Sequence, residues 1–130
     1  MRQLYHYTCR GHGLAGILAD RLVRPNRRHL LVLPEPLAWL TDLDAPNVDA
    51  LGLTTRLLSC DRSEVRVTVD GDRAERWVVY ARQAGVTPEQ REALESATGA
   101  MPAHWWVSEQ PVPVLRIDDV HAAVVERSGR

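Results

Sequence analysis

Two hydrogen-bonding side chains near the start of the chain, His6 and Thr8, stand two residues apart in the strand-forming segment Gln3 to Thr8. Because successive side chains of a strand point to opposite faces, this spacing places the imidazole and the hydroxyl together on one face. Tyr5 and Tyr7 share the other face, where they pack or line a rim. The segment therefore brings its two polar residues together.

The positive charge of the chain comes from arginine alone, since the 16 basic residues include no lysine. Codon bias of a GC-rich genome explains this composition, but the planar guanidinium fork also suits a ligand that carries phosphate. Arg66 alternates with Val65 and Val67 on a predicted strand, so it points either into a cleft or into water. The direction of the Arg56 side chain, in a Thr-Thr-Arg segment, is likewise left open between a cleft and water.

The elements that must position these residues follow from pattern and turn chemistry. Apolar residues at helical spacing predict a helix from Leu14 to Leu22, and Thr87, Pro88 and Gln90 predict a capped helix that Gly99 ends. A short helix is predicted over 48–51, and residues 24–29 are predicted to form a loop. Strands are predicted at 3–8, 37–41, 65–69, 76–80, 104–107 and 112–117.

This order of elements predicts an α+β fold with a largely antiparallel sheet. Asp70-Gly71 is a turn signal, so the strands at 65–69 and 76–80 are a candidate hairpin, with the loop length left open by residues 71–74. Trp105 and Trp106 must point to opposite faces of their strand, so one is expected in the core and the other at the surface, where a tryptophan would indicate a ligand or partner site.

Composition bounds the class of protein. A chain of 130 residues with 45% hydrophobic and 25% charged residues is typical of one globular domain. The net charge of −1 argues against nucleic-acid binding through bulk electrostatics. With two cysteines, no signal peptide and no membrane-spanning run, a cytoplasmic protein is expected. Cys9 and His12 have a spacing that suits a metal, but no second pair completes the set, so no metal is expected.

The opening of the chain resembles the ADP-ribosyltransferase superfamily. In that superfamily a strand with a His-x-Thr signature, here His6-Tyr7-Thr8, precedes a short helix that ends in an isoleucine-leucine pair, here Ile17-Leu18. The next strand is aliphatic and aromatic and often ends at aspartate, as in Ala38-Trp39-Leu40-Thr41-Asp42. The resemblance covers residues 3–55, and the rest only by element order. It implies one domain, residues 1–130, with a split, mostly antiparallel sheet and a few short helices.

The resemblance implies that the chain cleaves NAD, as a substrate, and transfers ADP-ribose to a protein, nucleic acid or small molecule, or hydrolyses NAD. His6 would bind the ribose beside the nicotinamide, Tyr7 would offer backbone groups to the carboxamide, and Thr8 would support the loop. In the family an aromatic residue often stacks on the nicotinamide. No aromatic residue stands near Ala50, the corresponding position, so Trp39 is either the aromatic that stacks on the nicotinamide or a core residue. Thr41 is a further residue of the expected cofactor-binding set.

The family also places a glutamate on a late strand, for which Glu109 is the candidate. A different alignment of the same strand puts the acid nearer His104 or Trp105, leaves that position without a carboxylate and makes Glu109 a surface residue. Two alternatives therefore stay open. One is a non-catalytic nucleotide-binding or interaction module. The other is a reaction like that of the tRNA 2′-phosphotransferases, with Arg24, Arg27 and Arg28 beside His29 as bidentate donors to phosphate, or as a solvated loop.

Overall fold

The chain has an α+β fold in which one antiparallel sheet dominates, as the sequence predicts. The structure, a computed structural model, describes residues 1–8, 14–25, 33, 35–44, 65–96 and 100–119. The predicted helix at 48–51, the loop at 26–29, the Cys9–His12 pair, Arg56 and the helix end at Gly99 lie outside these residues. No helix in the described ranges is long and apolar enough to cross a membrane.

The described strands are seven: β1 Gln3–Thr8, β2 Leu22–Val23, β3 Ala38–Thr41, β4 Val65–Asp70, β5 Glu75–Arg76, β6 Trp105–Ser108 and β7 Val112–Asp119. The described helices are α1 Leu14–Asp20, α2 Trp77–Gln83 and α3 Pro88–Glu95, with a short 3₁₀ helix at Pro102–His104. In space the strands follow the order β2-β7-β4-β1-β3-β6-β5, and every pairing in the described sheet is antiparallel.

The sheet divides into two halves at the boundary between β1 and β3. On one side β1 pairs with β4 along its whole length, from Gln3 opposite Asp70 to Thr8 opposite Val65. On the other side β3 pairs with β6 at each of its residues. Between β1 and β3, the register in the described part of the chain consists of one pair, Tyr5 opposite Thr41. The pairing in this seven-stranded sheet is therefore least extensive between β1 and β3.

Each face of the sheet carries its own hydrophobic core. The first core covers the face that carries Leu4, Leu40 and Trp106, and helix α1 contributes Ile17 to it. The second core lies on the opposite face, where helix α2 packs Trp77 and Tyr80 against Trp105 and Val107 of β6. Below, these faces are called the α1 face and the α2 face.

The alternation of β-branched and polar residues in β4 explains why it is central. Val65, Val67 and Val69 are at most 1% exposed and belong to the first core, as their period of two predicts. Arg66 and Thr68 face the other way. The predicted strands at 3–8, 37–41, 65–69 and 112–117 are confirmed to within two residues.

Three local predictions are wrong. The predicted strand at 76–80 includes only Arg76, the last residue of β5; from Trp77 the chain is helical, because Trp77, Tyr80 and Ala81 are buried at helical spacing in α2. The hairpin is wrong as well, since β4 pairs with β1 and β7 whereas β5 pairs with β6. Trp105 and Trp106 do point to opposite faces, but both are buried, because the sheet has a core on each face at this position.

The ends of the helices show how local chemistry sets their bounds. Thr87 and Gln90 form the predicted capping box at the start of α3, with the Thr87 hydroxyl accepting from the Gln90 backbone N–H. The helix ends earlier than predicted, at Glu95 with Ser96 as its cap. The predicted helix at 14–22 is also shorter, because Leu22 leaves it to pair with Pro113 in β2.

Gly71 and Gly16 provide a matched test of the packing at the end of β4. A Cβ on Gly71 would stand 2.5 Å from Cδ1 of the buried Leu4, whereas a Cβ on the exposed Gly16 in α1 would meet nothing within 4 Å. We expect Gly71→Ala to lower the free energy of unfolding by about 1–3 kcal/mol, since overpacking moves Leu4. Gly16→Ala should raise it by about 0.5–1 kcal/mol. Urea titrations of both variants measure these changes, and equal effects would contradict the packing described.

Candidate functional site

His6 lies where β1 and β3 separate, and its side chain spans the gap. Its Nδ1 lies 2.9 Å from the backbone oxygen of Trp39. Because a carbonyl oxygen can only accept, Nδ1 carries the hydrogen and donates it. The His6 side chain thus adds one hydrogen bond between β1 and β3 to the backbone pair at Tyr5 and Thr41. This bond fixes His6 at the junction of the two strands.

Thr8 lies on the same face as His6, as the sequence predicts. Cross-strand partners share a face, and His6 and Thr8 stand opposite Val67 and Val65, which face the first core. Thr8 is only 6% exposed. The structure therefore brings these two predicted site residues together, with the imidazole nearer to solvent than the hydroxyl.

Tyr7 and Arg66 hold the chain segment that follows β3. The Tyr7 hydroxyl donates to the backbone oxygen of Leu43 at 3.1 Å, and Arg66 donates to that of Asp44 at 2.6 Å. Arg66 also pairs with Asp118 at 3.4 Å and lies over the ring of Tyr5. Burial raises the pKa of Tyr7 to about 12, against the opposing effect of Arg66. These two side chains have a structural part in positioning the junction.

Of the remaining predicted cofactor-binding residues, Arg24 is exposed and Thr41 lies inside the core. Arg24 makes an exposed ion pair with Asp20, and Arg27 and Arg28 are outside the described residues. Thr41 is 1% exposed and its hydroxyl accepts from the backbone of Leu43. The contacts of Arg24 and Thr41 are structural, and they leave a role of these residues in cofactor binding as a prediction.

Trp39 is part of an aromatic cluster and is also linked to His6. Its ring lies 5.1 Å from Trp77 and 5.7 Å from Trp105. Its backbone oxygen is the one that accepts from His6. Its indole Nε1 is buried and has no hydrogen-bond partner among the described residues, and the same holds for Nε of Arg66. Both nitrogens can only donate, so each is satisfied only when an acceptor comes to it.

Glu109 follows β6 and lies on the sheet face opposite to His6. Side chains alternate along β6, so Glu109 falls on the α2 face with Trp105 and Val107. There its carboxylate accepts a hydrogen bond of 2.9 Å from the hydroxyl of Tyr80. Burial and this bond raise the pKa of Tyr80 above its ordinary range. Glu109 borders a cleft of ≈ 360 Å³ on that face, together with Arg73, Glu75 and Gln83.

Sequence reasoning missed a second polar group, on the same face as His6. Asp42, directly after β3, accepts a hydrogen bond from Nδ1 of His104 at 2.6 Å and another from Nε1 of Trp106 at 3.1 Å. The guanidinium groups of Arg2 and Arg76 lie over the ring of Trp106. The aspartate after the second strand was noted in the resemblance, but nothing in the sequence pairs it with a histidine 62 positions later.

Comparisons of the chain with known protein families, with curated proteins and with solved structures found no match. The site must therefore be interpreted from its own chemistry. In the described ranges no three His, Cys, Asp or Glu residues are grouped as metal ligands would be.

The Tyr7 hydroxyl gives a prediction for stability against pH. A pKa raised from 10 to about 12 means that the folded chain holds the phenol proton more tightly than the unfolded chain. The resulting stabilisation is complete below pH 10 and is lost as the pH rises towards 12, at up to about 1.4 kcal/mol per pH unit. Tyr7→Phe should remove this part of the alkaline loss and cost about 0.5–1.5 kcal/mol at pH 7. Denaturant titrations between pH 7 and 12 measure both; parallel curves for the two proteins would contradict the assignment.

Proposed function

We propose that this chain binds NAD at the junction of the two half-sheets, cleaves its glycosidic bond and transfers ADP-ribose to an acceptor or to water. The observation that carries the proposal is the position of His6, which bridges β1 and β3 at the point where their pairing stops. The proposed setting of the activity is the cytoplasm.

The chemistry explains why a fixed imidazole is useful there. Loss of nicotinamide passes through an oxocarbenium-like ribose, so the site must hold the ribose and the leaving group in one strained orientation. The bond from His6 to Trp39 fixes the ring before the substrate arrives. Preorganisation of this kind reduces the entropy that the reaction would otherwise lose.

The first experiment follows nicotinamide release from NAD by chromatography and mass detection, for the unaltered protein and for two variants of His6. His6→Asn keeps an N–H that can reach the Trp39 oxygen, whereas His6→Ala removes it. We expect both to lower the release rate by about 100-fold or more, because misplacing a reacting ribose by about 1 Å has that effect. Arg82→Ala, on the exposed surface of α2, is the control and should keep the full rate. Release that persists in His6→Ala would contradict the proposal.

The position of Glu109 favours a second candidate, a module that binds a nucleotide without cleaving it. The carboxylate that the resemblance suggests as catalytic lies on the α2 face and is bonded to Tyr80, away from His6. In that case NAD raises the melting temperature and no nicotinamide is formed. The two functions share the binding site and differ only in the product.

Glu109→Gln separates the two possible roles of that residue. Because Glu109 and His6 lie on opposite faces, we expect the variant to release nicotinamide within about twofold of the unaltered rate. It should be destabilised by about 1 kcal/mol, since the bond from Tyr80 then goes to a neutral oxygen. Tyr80→Phe is the matched control for the stability effect. A loss of release in Glu109→Gln with NAD binding intact would instead identify Glu109 as the catalytic acid.

A further inference from the structure

His104 and Asp42 form a carboxylate–imidazole pair at the end of the half-sheet that contains β3 and β6. Nδ1 of His104 and Oδ1 of Asp42 are 2.6 Å apart, and about a third of each side chain is exposed, 35% and 32%. The other carboxylate oxygen accepts from the indole N–H of Trp106, which is 7% exposed. Both oxygens of Asp42 are therefore held by donors from β6 and the turn before it.

These contacts define the tautomer of His104. A carboxylate oxygen only accepts, so the hydrogen of the neutral imidazole lies on Nδ1. The lone pair of the ring is then on Nε2, which no hydrogen bond to another described residue engages. An imidazole that a carboxylate orients in this way is built to take a proton from a substrate at Nε2.

The pair lies on the same face of the sheet as His6 and close to it. Tyr5 and Thr41 stand opposite each other, and His6 and Asp42 are the next residues on the two antiparallel strands. They are therefore one strand and two residues apart, which is about 8 Å between backbones at ordinary sheet spacings. Trp106 belongs to the first core and donates to Asp42, so Asp42 lies on the α1 face as His6 does.

Two arginines, Arg2 and Arg76, lie over the ring of Trp106, whose indole N–H is bonded to Asp42. Arg76 stands opposite Trp106 in the sheet, lies 4.9 Å from its ring centre and donates to the backbone oxygen of Ala103, next to His104. Arg2 lies 4.5 Å from the same ring. An anionic substrate that approaches His104 thus meets two positive charges, as the diphosphate of NAD would require.

We propose that His104 is a catalytic base of the NAD-cleaving site and that Asp42 is its positioning residue; this rests on the function proposed above. The nucleophile is a protic group, water or an acceptor hydroxyl. Its oxygen bonds to the anomeric carbon of the ribose as the bond from that carbon to the nicotinamide nitrogen breaks. The electron pair of the broken bond goes to the nicotinamide ring and neutralises its charge, and the proton of the nucleophile goes to Nε2 of His104.

The test measures nicotinamide release by the full chain at a series of NAD concentrations, with water as the acceptor. His104→Asn keeps an N–H for Asp42 but has no acceptor in place of Nε2. We expect it to lower kcat by about 100-fold or more, the usual contribution of a general base, and to leave KM within about twofold. Asp42→Asn should lower kcat as well, because the amide favours the other tautomer. In His104→Ala, added imidazole should restore at least about tenfold of the lost rate.

The outcomes separate the two proposals. Full release by His104→Asn overturns the role of His104 while the function proposed for the chain stands, provided that His6→Ala is inactive. Loss of release in every His104 variant without any rescue by imidazole also overturns it, since a structural role then suffices. No release by the unaltered protein overturns the proposed function, and the role of His104 falls with it. A kcat loss at constant KM with imidazole rescue supports the base.

Discussion

The structure depends on the junction between β1 and β3, where one described backbone pair is supplemented by side-chain hydrogen bonds. Tyr5 and Thr41 supply the pair, and the bond from His6 to the Trp39 oxygen extends it. The first core adds to this contact, because it packs Leu4 of β1 together with Leu40 of β3 and Trp106 of β6. Tyr7 and Arg66 add to it from the other face by holding the backbone after β3. The proposed binding of NAD at this junction makes use of the small number of ladder bonds described between β1 and β3.

The two faces of the sheet separate the charged residues into two groups. His6, Asp42 and His104 lie on the α1 face, whereas Glu109 lies on the α2 face with Tyr80. This division follows from the strict period of two along β1, β3 and β6, and no rotamer change moves a residue to the other face. The carboxylate on the same face as His6 is therefore Asp42, which follows β3 at the end where that strand pairs with the start of β6.

The strongly patterned parts of the fold could be predicted from the sequence, and the long-range parts could not. The valines of β4 and the capping box at Thr87 are local signals, and both are confirmed. Residues 76–80 consist of strand-forming types, and only the core on the α2 face makes Trp77 and Tyr80 helical neighbours. The chain passes from β4 to β5 across the positions of β1, β3 and β6 in the sheet. The turn residues between β4 and β5 do not predict this connection. At the site, the face shared by His6 and Thr8 followed from alternation, whereas the contact of Asp42 with His104 joins residues that only the topology brings together.

The central claim, that the junction at His6 receives NAD, is tested most directly by the imidazole signals of His6 in a protein labelled with ¹⁵N-histidine. The His6→Ala variant assigns the signals, and NAD is added in steps. The account predicts that the His6 resonances shift and saturate as one NAD binds per chain, with the Nδ1–H signal retained because its bond to Trp39 persists. Unchanged His6 resonances at NAD concentrations that saturate any other signal would contradict it.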